Sequence, residues 1–130
     1  MKETKELLKR WMQFASEDLI VAKQILKSEF PIYRAVCFQC QQSAEKYLKA
    51  YQIQFRIRVI KTHDLVSIIN TLIEFDKNIE QFKEKSKEVT NYAVSYRYPD
   101  DFEDITRQQL EEAILLAMEV EKYITEKIVL

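Results

Sequence analysis

The chain has 130 residues, 47% hydrophobic and 32% charged, which fits one domain able to build its own core. It contains no glycine and only two prolines, which excludes glycine-rich phosphate loops and leaves little room for tight hairpins. With 20 basic residues against 21 acidic ones the net charge is −1, so no global field draws nucleic acid, and Arg56, Arg58 and Lys61 form only a small basic patch.

The opening residues, Met1 to Glu6, are charged and carry no apolar leader block. No run approaches the roughly 20 apolar residues of a membrane span, so a cytoplasmic setting is expected.

Apolar residues recur with the helical period almost throughout. Leu8, Trp11, Ala15, Leu19, Ala22, Ile25 and Leu26 line one stripe and predict a first helix from about Thr4 to Ser28. Phe30-Pro31 breaks it. Proline suits a first helical turn, where its missing donor is not needed. A second helix is therefore expected from about Pro31 to Ile53, with Tyr33, Val36, Cys37, Cys40, Ala44, Tyr47, Leu48 and Tyr51 inward. Cys37 and Cys40 form a C-x-x-C pair, but the βαβ context of a redox motif is missing and zinc lacks two further good ligands. Two small buried hydrophobes are the expectation.

Phe55 to Thr62 alternates weakly, like a strand, but no partner strand exists, so it reads as a loop or helix extension. Thr62 reads as the N-cap of a short third helix carrying Leu65, Ile68, Ile69 and Leu72. A fourth helix, Lys77 to Tyr96, carries Ile79, Phe82, Val89, Tyr92, Ala93 and Tyr96, and its charged run Lys83 to Glu88 reads as a solvated face. The last helix is expected from about Asp104 to Ile128, with Leu110, Ala113, Leu116, Ala117, Val120 and Ile124 inward. Asp100, Asp101, Glu103 and Asp104 gather at its start, where the helix dipole favours anions. Four or five amphipathic helices with short joints imply an all-α, antiparallel up-and-down bundle, one domain over residues 1–130.

Tyr96-Arg97-Tyr98-Pro99-Asp100 is the second place where the pattern is forced to stop. Pro99 holds Tyr98 extended and leaves Arg97 at a helix end. Arg97 can grip a phosphate or carboxylate through a bidentate fork, or cap the helix and pair with Asp100 or Asp101. Tyr98 can stack on a base or simply edge the core. His63, the only histidine, suits acid/base chemistry with Arg58 or Arg97 at a phosphate. Its place between Thr62 and Asp64 favours local bonding at a helix start instead. Glu45, Lys46 and Lys49 can line a cleft, although Glu45 and Lys49, four apart, read more simply as a surface pair contributing about 0.2–0.5 kcal/mol. Gln42 is a candidate for an interhelix hydrogen bond.

Three stretches carry a resemblance. Cys37-Phe38-Gln39-Cys40-Gln41-Gln42-Ser43-Ala44-Glu45-Lys46-Tyr47-Leu48-Lys49-Ala50 resembles the second-helix signature of HEPN domains. Thr62-His63-Asp64-Leu65 resembles that family's next motif, and Tyr96 to Asp100 its third, in order across about Leu8 to Ile128. The resemblance implies a helical bundle that pairs as a homodimer. It implies a minimal nucleotidyltransferase as partner, in a toxin–antitoxin-like pair or a two-part transferase. Many HEPN members are metal-independent ribonucleases, with an arginine, four to six residues and then a histidine near the start of the last long helix. After Arg97 those distances reach Phe102, Glu103 and Asp104, and none is an imidazole. Arg58 and Arg56 stand at the matching distances before His63, but in another element.

The main expectation is a non-catalytic nucleotide- or partner-binding module without metal or cofactor. Its cleft would hold Arg97, Tyr98, Asp100, Gln42, Glu45, Lys46, Lys49 and His63. The alternatives are a ribonuclease toxin using Arg58 or Arg97 with His63, and a plain helical interaction protein.

Overall fold

The computed structural model describes residues 2–59, 61–94 and 103–130. They form α1 (Lys2–Leu26), α2 (Tyr33–Gln54), α3 (Leu65–Leu72), a 3-10 segment (Lys77–Phe82), α4 (Lys83–Ala93) and α5 (Arg107–Lys127), and no strand occurs among the described residues. Side-chain bonds fix the helix directions. Ser43 Oγ donates to the Ala15 carbonyl at 2.7 Å, and Lys49, further along α2, lies over the ring of Trp11, earlier in α1, so α1 and α2 run antiparallel. Arg107 donates to the Tyr33 hydroxyl and Tyr47 to Glu121, each across 74 positions, while Gln54 meets Lys127 across 73. A constant offset means that α2 and α5 run parallel. Tyr92 donates to the Gln109 carbonyl while Lys85 reaches Glu112, which makes α4 antiparallel to α5. The bundle is thus up-and-down, with short α3 inserted between α2 and α4.

α2 is the central helix. From Tyr47 to Ile53 every residue is buried, about two turns with no solvent face. A helix enclosed in this way needs small residues where its neighbours approach, and Cys37, Cys40, Ser43, Ala44 and Ala50 supply them. α1 lays Leu8, Ala15, Leu19 and Ala22 against one side, and α5 lays Leu110, Ala113, Ala117, Val120 and Ile124 against another. Leu65, Ile68, Ile69, Leu72, Ile79, Phe82 and Val89 close the remaining side.

The helix ends differ from the sequence expectation for local reasons. α2 begins at Tyr33, because Ile32 is extended (φ −84, ψ 107) and Pro31 lies outside the first turn. α2 ends in a Schellman-type turn, with Ile57 N–H on the Gln52 carbonyl at 2.9 Å. That turn needs one left-handed residue, and in a chain without glycine Arg56 takes it, at φ 60. The N-cap of α3 is Asp64, not Thr62: its carboxylate accepts from Val66 N–H and Ser67 Oγ, while Thr62 Oγ1 accepts from Asp64 N–H. The predicted fourth helix opens as 3-10, capped by Asp76, and turns α-helical only at Lys83. Its predicted end at Tyr96 lies outside the described residues.

α5 starts at Arg107, not near Asp104. Thr106 closes a capping box with Gln109, so Glu103 and Asp104 precede the helix and its first turn holds no acid. The dipole argument therefore fails for these two residues. Asp100 and Asp101 lie outside the described residues.

Candidate functional site

α2 carries polar side chains into its buried section, and each needs a partner. Gln41 is fully buried. Its Nε2 donates to the His63 carbonyl at 3.0 Å, and its Oε1 lies 3.2 Å from the Thr90 hydroxyl, whose single proton it shares with the Ser86 carbonyl. One amide thereby ties α2 to the start of α3 and to α4. The interhelix anchor expected at Gln42 is its neighbour Gln41; Gln42 itself is half-buried. The sequence held the signal: Gln41 follows Cys37 by four residues and precedes Ala44 and Leu48 by three and seven, so it sits on the core stripe.

One turn on, Glu45 and Lys49 meet at 2.9 Å with side chains only 4% and 7% exposed. This corrects the reading of an ordinary surface pair. The Lys49 ammonium also lies 5.6 Å from the centre of the Trp11 ring on α1, an orientation in which the ring's negative face adds to the carboxylate's attraction. The other Glu45 oxygen lies 2.9 Å from His63 Nδ1. A carboxylate only accepts, so Nδ1 carries the proton and Nε2 is left as the open position. The His63 side chain is 60% exposed. The local helix-start bonding expected for His63 belongs to Asp64 instead; the imidazole is oriented by a buried carboxylate 18 residues away.

These bonds bring together three of the candidate residues, Glu45, Lys49 and His63. Lys46, half-buried on the same side, pairs with Asp18 of α1. Trp11, Asp18, Gln41 and Thr90 complete the polar neighbourhood and were not among the expected site residues. Trp11 and Asp18 carry no sequence signal for this role, because only the packing of α1 on α2 brings them there. Beside His63 a cleft of about 750 Å³ opens between the start of α3, the 3-10 segment and α4, lined by Asp64, Val66, Glu80, Lys83, Glu84, Lys87, Thr90 and Asn91. Arg58 is exposed on the segment before α3. Arg97, Tyr98 and Asp100 lie outside the described residues.

Cys37 and Cys40 are free and buried, as expected of core hydrophobes. Burial pushes the Cys37 thiol up to about 11, and burial with the neighbouring Cys37 pushes Cys40 to about 12. Both are therefore protonated near neutrality and poor nucleophiles or metal ligands.

The family model of the HEPN domain matches residues 8–128. The chain belongs to the HEPN domain family. The crystal structure of TT1696 from Thermus thermophilus superposes with a TM-score of 0.79 at 28% identity, covering 93% of this chain and 98% of that one. No curated protein matches the chain. Within this HEPN domain the second-helix signature, Cys37 to Ala50, is the stretch of α2 that holds the buried Gln41, Glu45 and Lys49. The Thr62-His63-Asp64-Leu65 motif is the cap of α3 together with the imidazole that Glu45 orients.

Proposed function

We propose that this HEPN domain is a non-catalytic module that pairs as a homodimer and acts with a minimal nucleotidyltransferase, holding a nucleotide, in a toxin–antitoxin-like pair. The cleft beside His63 supports this reading best. Its volume of about 750 Å³ suits a nucleotide-sized ligand, and Lys83 and Lys87, set among Asp64, Glu80 and Glu84, offer ammonium groups for phosphate. Thr90 and Asn91 add neutral polar groups able to read a base or sugar. Isothermal titration with ATP tests the reading. Saturable binding that Lys87→Ala weakens about tenfold is expected, together with co-purification of a minimal nucleotidyltransferase. Absence of both outcomes removes the proposal.

One observation favours a second reading. His63 is exposed, and Glu45 engages its Nδ1, which leaves Nε2 as the nitrogen able to accept a proton, as a general base requires. A ribonuclease toxin would use His63 with Arg58 or Arg97. Under the main reading, purified protein leaves RNA intact. RNA cleavage that disappears in His63→Ala would instead establish the nuclease.

A further inference from the structure

α1 carries an apolar stripe that the core does not use. Leu7, Phe14 and Val21 recur every seven residues and remain 49%, 42% and 38% exposed. The core stripe of Leu8, Ala15 and Ala22 lies one residue on, about 100° round the helix. Between the stripes stand Trp11 and Asp18, reached by Lys49 and Lys46 of α2. Leu7, Trp11, Phe14, Asp18, Val21 and Ile25 thus alternate spacings of four and three, the interval at which one helix seats along another.

The charges beside the stripe indicate its occupant. Arg10 stands four residues before Phe14 and Glu17 three residues after it, both exposed. When two α1 helices lie antiparallel about a two-fold axis at Phe14, Leu7 of each copy meets Val21 of the other. Arg10 of each copy then comes opposite Glu17 of the other, twice in the assembly. A parallel pairing would set Arg10 against Arg10. The stripe is therefore complementary to its own reverse in both apolar pattern and charge.

We propose that two copies of this chain pair antiparallel along α1, with Leu7, Phe14 and Val21 as the seam and Arg10–Glu17 ion pairs flanking it. The inference rests on the homodimer reading above and names its surface. It also sets the Lys46 and Lys49 edge of α2, and with it the Glu45-oriented His63, on the side of the molecule where the copies meet.

Sedimentation equilibrium of the full chain tests this. Wild type is expected to be dimeric, and Phe14→Glu to weaken pairing at least about 100-fold, since the change enters the interface twice, with helical circular dichroism unchanged. Leu7→Glu reads the same contact if Phe14→Glu folds poorly. Arg10→Glu is expected to weaken the dimer about tenfold, and Arg10→Glu with Glu17→Arg to restore it. A dimer of wild-type strength in both Phe14→Glu and Leu7→Glu overturns the seam and leaves the homodimer reading standing. So does a dimer that persists while those changes abolish nucleotidyltransferase binding. A wild type that stays monomeric at about 100 μM overturns both readings.

Discussion

Lys49→Met asks whether the α2 pair is the buried ion pair that the geometry describes. The substitution keeps most of the side-chain volume and removes the ammonium. Glu45, 4% exposed, then retains, among the described residues, His63 alone as a hydrogen-bonding ionisable neighbour. Breaking a buried pair costs about 3–5 kcal/mol, because the remaining charge stays desolvated, whereas an exposed helix pair contributes about 0.3–0.5 kcal/mol. His63 offers partial compensation, so the low end applies, about 3 kcal/mol. Unfolding entropy near 2.1 cal/mol/K per residue gives about 0.27 kcal/mol per kelvin for 130 residues. The expected fall in Tm is therefore about 11 °C. Thermal melts followed by circular dichroism at matched protein concentration measure it. Adding Glu45→Gln is expected to recover more than half the loss, since the stranded charge is gone. Lys85→Met, which removes an ammonium that meets Glu88 and Glu112 from an exposed position, is expected to leave the midpoint in place. A Lys49→Met melt within about 2 °C of wild type would refute the reasoning.

Two helix starts, at Asp76 and at Thr106, give further outcomes. Asp76 caps the 3-10 segment at Asn78 N–H and accepts the hydroxyls of Tyr51 at 2.7 Å and Tyr123 at 2.5 Å. Asp76→Ala is expected to lose about 2–3 kcal/mol in urea titrations, from one cap and two unpaired phenols. Burial works to raise this carboxyl, but the phenols of Tyr123 and Tyr51, Asn78 N–H and the charge of Lys127 together hold it below its ordinary 3.8. A folded value below the unfolded one adds stability that is present above 3.8 and lost as pH falls through the lower folded value. The stability gap between wild type and Asp76→Asn is expected to be widest at neutral pH and to narrow below 3.8; a gap independent of pH would contradict this. Thr106→Ala is expected to cost about 1 kcal/mol by opening the capping box of α5, while Asp104→Asn, outside that helix, is expected to change stability by less than about 0.3 kcal/mol.

The fold was legible because amphipathic periodicity reports which face of each helix is apolar. The stripe of Leu8, Ala15, Leu19 and Ala22, and that of Leu110, Ala113, Ala117 and Val120, are both buried as their spacing required. Helix starts were less legible. Thr62 and Asp64 both bear capping oxygens, and only the backbone turn at Asp64 selects between them. The acids before α5 were persuasive for the same reason: a carboxylate near a helix start is favourable, but the capping box at Thr106 decides where that start is.

The site divides along the same line. Residue types and linear spacing yielded an all-α bundle, and the resemblance to the HEPN motifs added the short list containing Glu45, Lys46, Lys49 and His63. Spacing along one helix cannot say whether a Glu–Lys pair faces water, because that depends on which helices cover it. α1, through Trp11 and Asp18, makes the pair a buried one, and the chain's return before α3 brings the imidazole onto its carboxylate. Desolvation is a property of the assembled bundle, so the character of these charges was decided only when the helices packed.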